Sequence, residues 1–152
     1  MPDTRTIIDT ILRERIAILD GSWGVLIQRE VRGEEAYRGE RFRDHPRDVA
    51  GNPDLLNVTR PEIVARIHDD YFAAGADIAT TNTFTSTTIA QADYGLEHVV
   101  HELNVEGARL ARRAADEWTA RTPDRPRFVA GSVGPLNVSL SLSPHVDEPA
   151  FR

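Results

Sequence analysis

The chain has 152 residues, 40% hydrophobic and 28% charged, which is enough apolar material for a core and places it with globular rather than disordered chains. Its 18 basic and 24 acidic side chains give a net charge of −6, which argues against nucleic acid or an anionic membrane as the main partner. There is no cysteine to build a disulfide or a thiolate centre, and no apolar run approaches the ~20 residues of a membrane helix, so a cytosolic (cytoplasmic) enzyme or enzyme part is the expectation.

Asp3 or Thr4 is placed to cap a short helix carrying Ile7, Ile8, Ile11 and Leu12 at helical spacing, a plug for the bottom of a larger fold. Ile16 to Leu19 is too short and too continuously apolar for an amphipathic helix and reads as a strand buried on both faces, as in a parallel sheet. It ends in Asp20-Gly21, one carboxylate and a bare backbone at the mouth of a site, with Gly21 and Gly24 bracketing the turn. From Arg29 to Val58 the chain is polar and punctuated by Gly33, Gly39, Pro46, Gly51 and Pro53, which predicts a long ordered loop. Within it Arg38, Arg41, Arg43 and Arg47 interleave with Glu40, Asp44 and Asp48, the pattern of a salt-bridged surface.

Thr59-Arg60-Pro61-Glu62 has the form of a capping box, with Pro61 in the first helical turn, and Ile63, Val64, Ile67, Tyr71 and Phe72 then form one apolar stripe. Gly75 ends that helix, and Asp77 to Phe84 supplies a second strand with its polar turn. Ser86 to Tyr94 predicts a short helix closed by Gly95. A longer one follows, with Leu96, Val100, Leu103, Gly107, Ala111, Ala114 and Trp118 on one face. His98 and His101 on that helix read as a solvated face, not a metal pair. Phe128 to Pro135 is the third strand and turn, and its Gly131-Ser132-Val133-Gly134 lacks the lysine and spacing of a phosphate loop.

Strands alternating with helices define an α/β class with right-handed crossovers and a parallel sheet. A doubly wound sheet and the opening of a (β/α)8 barrel both fit, and both place ligands at the carboxyl ends of the strands. Asp20, Asn82 and Gly134 fall on that rim in either case.

Taken in order, ILDGSWGVLIQ, YRGERF, GNPDLLNVTRPEIV, IHDDYFAAGADIATTNTFTSTTIAQADYGLE and ADEWTARTPDRPRFVAGSVGP resemble the start of the homocysteine-binding barrel of the cobalamin-dependent methionine synthases, within the homocysteine S-methyltransferase family. The resemblance implies the first three β/α units of a (β/α)8 TIM-type barrel, incomplete in this chain, with residues 1–15 as the N-terminal helix and residues 16–152 as strands 1 to 3 with their helices and loops. It implies transfer of a methyl group from methylcobalamin to homocysteine, held as a thiolate on a zinc ion bound by three cysteines. Those cysteines are expected beyond residue 152, so no catalytic or metal-binding residue is assigned here and the fragment alone is expected to be inactive. Folate and cobalamin domains of the complete protein are the implied partners.

By the same resemblance, Asp20 offers its carboxylate to the substrate ammonium and Gly21 allows close backbone approach. Asn82, Thr83 and Phe84 correspond to the second-strand rim, and Gly134 and Pro135 to the third. Ser22 and Trp23 stand where Gly or Ala and Met are common, and Val25 where Thr is common. Thr80 replaces a frequent Glu, which removes a carboxylate near the rim. Two alternatives accompany this reading: a methyltransferase of the betaine type using a simple donor, and a non-catalytic partial barrel acting as a self-association or binding module.

Overall fold

The computed structural model describes residues 3–136, and the expectation for the end of the third unit, residues 137–152, lies outside the described residues. Helix α1, Thr4–Glu14, begins at Asp3, whose carboxylate accepts the Thr6 amide at 2.8 Å, the cap predicted. Its Ile8 and Ile11 share a crevice with Ala17, Ile78 and Phe128, where the extended segments begin.

The sheet is small and parallel. Strand β1, Ile78–Thr80, pairs with β2, Phe128–Ala130, with Ile78 opposite Phe128 and Thr80 opposite Ala130. On the other side of β1 the predicted first strand is an extended segment joined by one parallel bridge, Leu19 to Ile78, and by the Asp20 amide bonding the Ile78 carbonyl at 2.9 Å. The segment is not buried on both faces as predicted: Ile16 is 86% exposed and Ile18 and Leu19 are more than half exposed. A run of apolar residues marks a strand without saying what covers it, and among the described residues only β1 pairs with this one.

The amino ends of these segments meet at Asp77, just before β1. Its buried carboxylate accepts both Arg15 guanidinium nitrogens at 2.6 and 2.9 Å, the Ile18 amide at 2.9 Å and Arg125 Nε at 3.3 Å. The Arg15 hydrogen bonds, with those from Ile18 and Arg125, hold the carboxyl down at about 2 against the effect of burial.

The stretch from Arg29 to Val58 is not the long loop predicted. It continues α2, Trp23–Glu30, and then contains α3, Glu34–Arg38, a 3-10 turn at Pro53–Leu55 and α4, Leu56–Thr59. Gly24 accordingly lies inside α2 instead of bracketing a turn. The glycines mark helix boundaries: Gly33 and Gly39, at φ +79° and +55°, flank α3 on its two sides. Tyr37, Phe42, Val49, Leu55 and Leu56 are buried, each reaching the core singly, which leaves no periodic stripe to read.

The capping box also fails. Thr59 is the last residue of α4 and its hydroxyl donates to the Leu55 carbonyl at 3.2 Å, so it cannot serve the next helix. Arg60 takes the N-cap position of α5, Pro61–Ala73, and the Glu62 carboxylate accepts from Arg60 Nε at 2.6 Å. Pro61 does open the helix, and Gly75, at φ +106°, follows its end. A short helix α6, Thr88–Gln91, runs into a 3-10 turn closed by Gly95 at φ +69°, as predicted.

Helix α7, Val100–Arg121, packs against α5 and touches both strands. Ile63, Val64, Ile67, Leu103 and Leu110 join Leu55 and Leu56 in the main core, while Phe72, Ala76, Ala79, Ala114 and Ala115 form a second cluster. Gly107 permits the closest approach, because a Cβ there would lie 2.7 Å from both Asn57 Nδ2 and Thr83 Cγ2. No helix among the described residues is long and apolar enough to cross a membrane.

Candidate functional site

Residues just past the carboxyl ends of the extended segments enclose a cavity of about 330 Å³. Trp23, Ile27, Pro53 and Phe84 form its apolar wall, and Asp54, Thr80, Thr81, Asn82 and Ser132 its polar one. The volume lies at the small end of the range for ligand pockets.

Asp20 stands behind this wall and is held by it. Its Oδ2 accepts the Thr80 amide at 2.8 Å and Trp23 Nε1 at 3.1 Å, and the Thr80 hydroxyl lies 3.0 and 3.1 Å from its two oxygens. The threonine that replaces a frequent Glu is therefore a donor to Asp20. Gly21 is exposed and outside the cavity lining, its missing Cβ only in ordinary contact with Tyr71 at 3.4 Å.

The Trp23 ring meets His68 edge to face at 4.6 Å. His68 is fully buried with neither ring nitrogen bonded, and that burial pushes it down to about 4, so the imidazole is neutral at ordinary pH.

Asn82 is fixed on both sides. Its Nδ2 donates to the Pro53 carbonyl at 2.8 Å and to Asn57 Oδ1 at 3.1 Å, while Asn57 Nδ2 returns a bond to the Asn82 carbonyl at 2.7 Å. Thr83 donates to the Ser132 carbonyl at 2.9 Å, which leaves Thr81 as the donor across the 2.6 Å gap between the two hydroxyls. Thr81 in turn accepts the Ser132 amide at 2.9 Å. Phe84 is 53% exposed at the cavity edge, and Gly134 bonds its carbonyl. Pro135 is exposed and does not line the cavity.

Asp54 is the acidic residue on the cavity wall. It is fully buried, and its Oδ2 accepts the Thr85 amide at 2.7 Å and the Ser86 hydroxyl at 2.8 Å, while Oδ1 has no partner. Burial pushes its carboxyl upward against the hydrogen bonds from Ser86 and Thr85.

Of the seven rim residues predicted, Asn82 and Phe84 line the cavity. Asp20, Thr83 and Gly134 reach it through Thr80, Ser132 and Phe84 respectively, and Gly21 and Pro135 are not brought to it. Trp23, Thr80, Ser132 and Asp54 were missed as wall residues. Asp20 precedes the start of α2, so no helical spacing announces its bond to Trp23, and Asp54 in GNPDLL has only the buried Leu55-Leu56 beside it as a sign.

Among the described residues no three His, Cys, Asp or Glu side chains are grouped to hold a metal, and His98 and His101 are both exposed. With no cysteine in the sequence, the donor set does not fit a zinc-thiolate centre.

The family model described as Homocysteine S-methyltransferase matches residues 17–151. Among solved structures, the chain is similar to the homocysteine methyltransferase MmuM from Escherichia coli. It is 25% identical to the metallated form, with a TM-score of 0.63, covering 84% of this chain and 41% of that one. It is 27% identical to the oxidized form, with a TM-score of 0.66 and coverage of 84% and 40%. The chain thus spans about two-fifths of the length of the structures it matches.

Proposed function

Since the chain belongs to the homocysteine S-methyltransferase family, we propose that it forms the opening three β/α units of a (β/α)8 barrel and supplies part of the wall that holds homocysteine for S-methylation. The observation that carries this reading is the cavity at the carboxyl ends of the extended segments, whose lining residues all fall within residues 17–151, the stretch matched to the family. In this reading Trp23, Ile27 and Phe84 face the substrate's methylene chain and the polar wall orients its amino-acid end. Asp20, with donors already on both oxygens, sets the positions of Thr80 and Trp23 and offers its remaining acceptor capacity to the ligand.

The methyl donor in this reading is methylcobalamin, presented with folate by further domains. A zinc-thiolate centre would lower the pKa of the substrate thiol while leaving the sulfur nucleophilic. The residues described here do not fit that centre, so its cysteines are assigned to later strands and no step is drawn through it. A second reading is transfer from betaine or another simple donor, and the likeness to structures named as homocysteine methyltransferases supports homocysteine methylation in either reading.

The test is to express the native reading frame, load it with zinc, and supply homocysteine with methylcobalamin or with betaine. Methionine formed from methylcobalamin supports the first reading, and methionine from betaine alone supports the second. No methionine from either removes the methylcobalamin reading and the betaine form of the second.

A further inference from the structure

Two side chains of α5 reach the turn that leads into α2, and they hold different parts of it. Tyr71 donates its hydroxyl to the Ser22 carbonyl at 2.9 Å and so fixes the backbone. His68, three residues earlier on the same helical face, meets the Trp23 indole edge to face, with ring centroids 4.6 Å apart and planes at 72°. Ser22, the N-cap of α2, makes no side-chain capping bond, so the start of α2 depends on these outside contacts.

Packing alone does not account for a histidine at residue 68. Its side chain is fully buried with both ring nitrogens unpartnered, an arrangement that costs stability where a hydrocarbon would not. What a leucine of similar size cannot supply is a flat ring whose edge meets an indole. Trp23 is where that contact leads. Its indole lines the cavity, and its Nε1 donates at 3.1 Å to Asp20 Oδ2, the oxygen that also accepts the Thr80 amide at 2.8 Å. His68, Trp23, Asp20 and Thr80 thus form a line of contacts from α5 to the cavity wall.

We propose that His68 is a positioning residue for the homocysteine site: its ring fixes the plane of the Trp23 indole, and with it the Asp20 and Thr80 side of the cavity wall, without touching the ligand. The inference rests on the homocysteine reading above for its ligand. It requires no access to His68, since the residue acts through Trp23. Burial keeps the imidazole neutral at ordinary pH, so the contact with the indole is one between two uncharged rings.

The experiment compares His68→Leu with wild type, both zinc-loaded and expressed from the native reading frame, by indole N–H resonances and by calorimetric binding of homocysteine. In H68L the Trp23 indole N–H is expected to shift and to exchange about tenfold or more faster as its bond to Asp20 loosens. The Trp118 indole N–H, bonded to Asp69 on the same helix, is the internal control and should not change. Homocysteine affinity is expected to fall about fivefold or more. An unchanged Trp23 resonance, both indoles moving together, or unchanged affinity overturns the proposal and leaves the homocysteine reading standing. Wild type that binds no homocysteine removes both. A readout without a variant is the pair of His68 ring-carbon resonances, expected to move when homocysteine binds the wild type, through Trp23; their staying in place overturns the proposal even where H68L does not fold.

Discussion

Gly134 donates its backbone N–H to the Phe84 carbonyl at 3.0 Å, and a Cβ on Gly134 would come to 2.5 Å from that oxygen and 2.7 Å from the Phe84 ring. The turn after β2 is thus pressed onto the turn after β1, and side-chain volume is excluded at their contact. Gly134→Ala is expected to force the two turns apart at a cost of about 1–3 kcal/mol, the range for inserting a methyl into filled space. Urea unfolding would read the loss, and amide exchange at residue 134 should become faster.

Gly107→Ala acts from the helix side. The added methyl would displace Asn57 Nδ2 and Thr83 Cγ2, each 2.7 Å away, and Asn57 is what holds Asn82. A higher helix propensity at residue 107 contributes up to about 1 kcal/mol in the opposite direction, so net destabilisation marks the steric term as dominant. Thermal unfolding of the variant decides the sign.

His68 makes stability depend on mild acid. Its folded pKa of about 4 lies below the ordinary value of 6.5, so between these values the unfolded chain binds more protons. Stability is complete above about pH 6.5 and falls by about 3 kcal/mol as the pH drops to 4. Since neither ring nitrogen has a partner, His68→Leu is expected to cost little at pH 7.5 and to flatten this slope. Urea midpoints across pH 4–8 measure it.

Asp77 governs a lower window. Its carboxyl, held at about 2 against an ordinary 3.8, gives stability that is present above about pH 4 and lost toward pH 2, about 2 kcal/mol in all. Asp77→Asn should remove a similar amount at neutral pH. The Arg15 and Arg125 side chains are 40% and 41% exposed and can turn to water, which keeps the cost below the roughly 3–5 kcal/mol of breaking a fully buried pair. Unfolding of D77N should show no pH dependence attributable to this site below pH 4.

Trp23 should report occupancy of the cavity. Its indole lines the wall and bonds Asp20, whereas Trp118 lies on α7 with its Nε1 on Asp69. A homocysteine-dependent change in tryptophan emission is expected in the wild type and absent in Trp23→Phe. Persistence of the change in that variant would place the ligand elsewhere.

The helices with continuous stripes were readable: α5 follows the apolar spacing of Ile63 to Phe72 and α7 that of Val100 to Trp118, although Leu96 precedes a 3-10 turn at Glu97–Val99 and lies outside α7, and Gly75 and Gly95 mark the stops. The region around α3 was not, because Tyr37, Phe42 and Val49 are anchors spaced too irregularly to generate a period. Thr59 misled because one hydroxyl was open to two helices and the preceding one takes it. At the site, Asn82 and Phe84 were legible from their place after a strand, while Asp54 was hidden in a charged, glycine-rich stretch that reads as solvent-facing. Its burial comes from Leu55, Leu56 and the turn at Thr85-Ser86, contacts that local sequence does not encode.

Strands of three residues have little ladder with which to resist sliding past one another. Asp77 supplies the missing restraint from the opposite end, since Arg15, Ile18 and Arg125 all close on the one carboxylate. The cavity's dimensions are thereby gauged by a group that never meets its contents. Side chains at the mouth can be exchanged for others of different chemistry while the spacing between their backbones is kept.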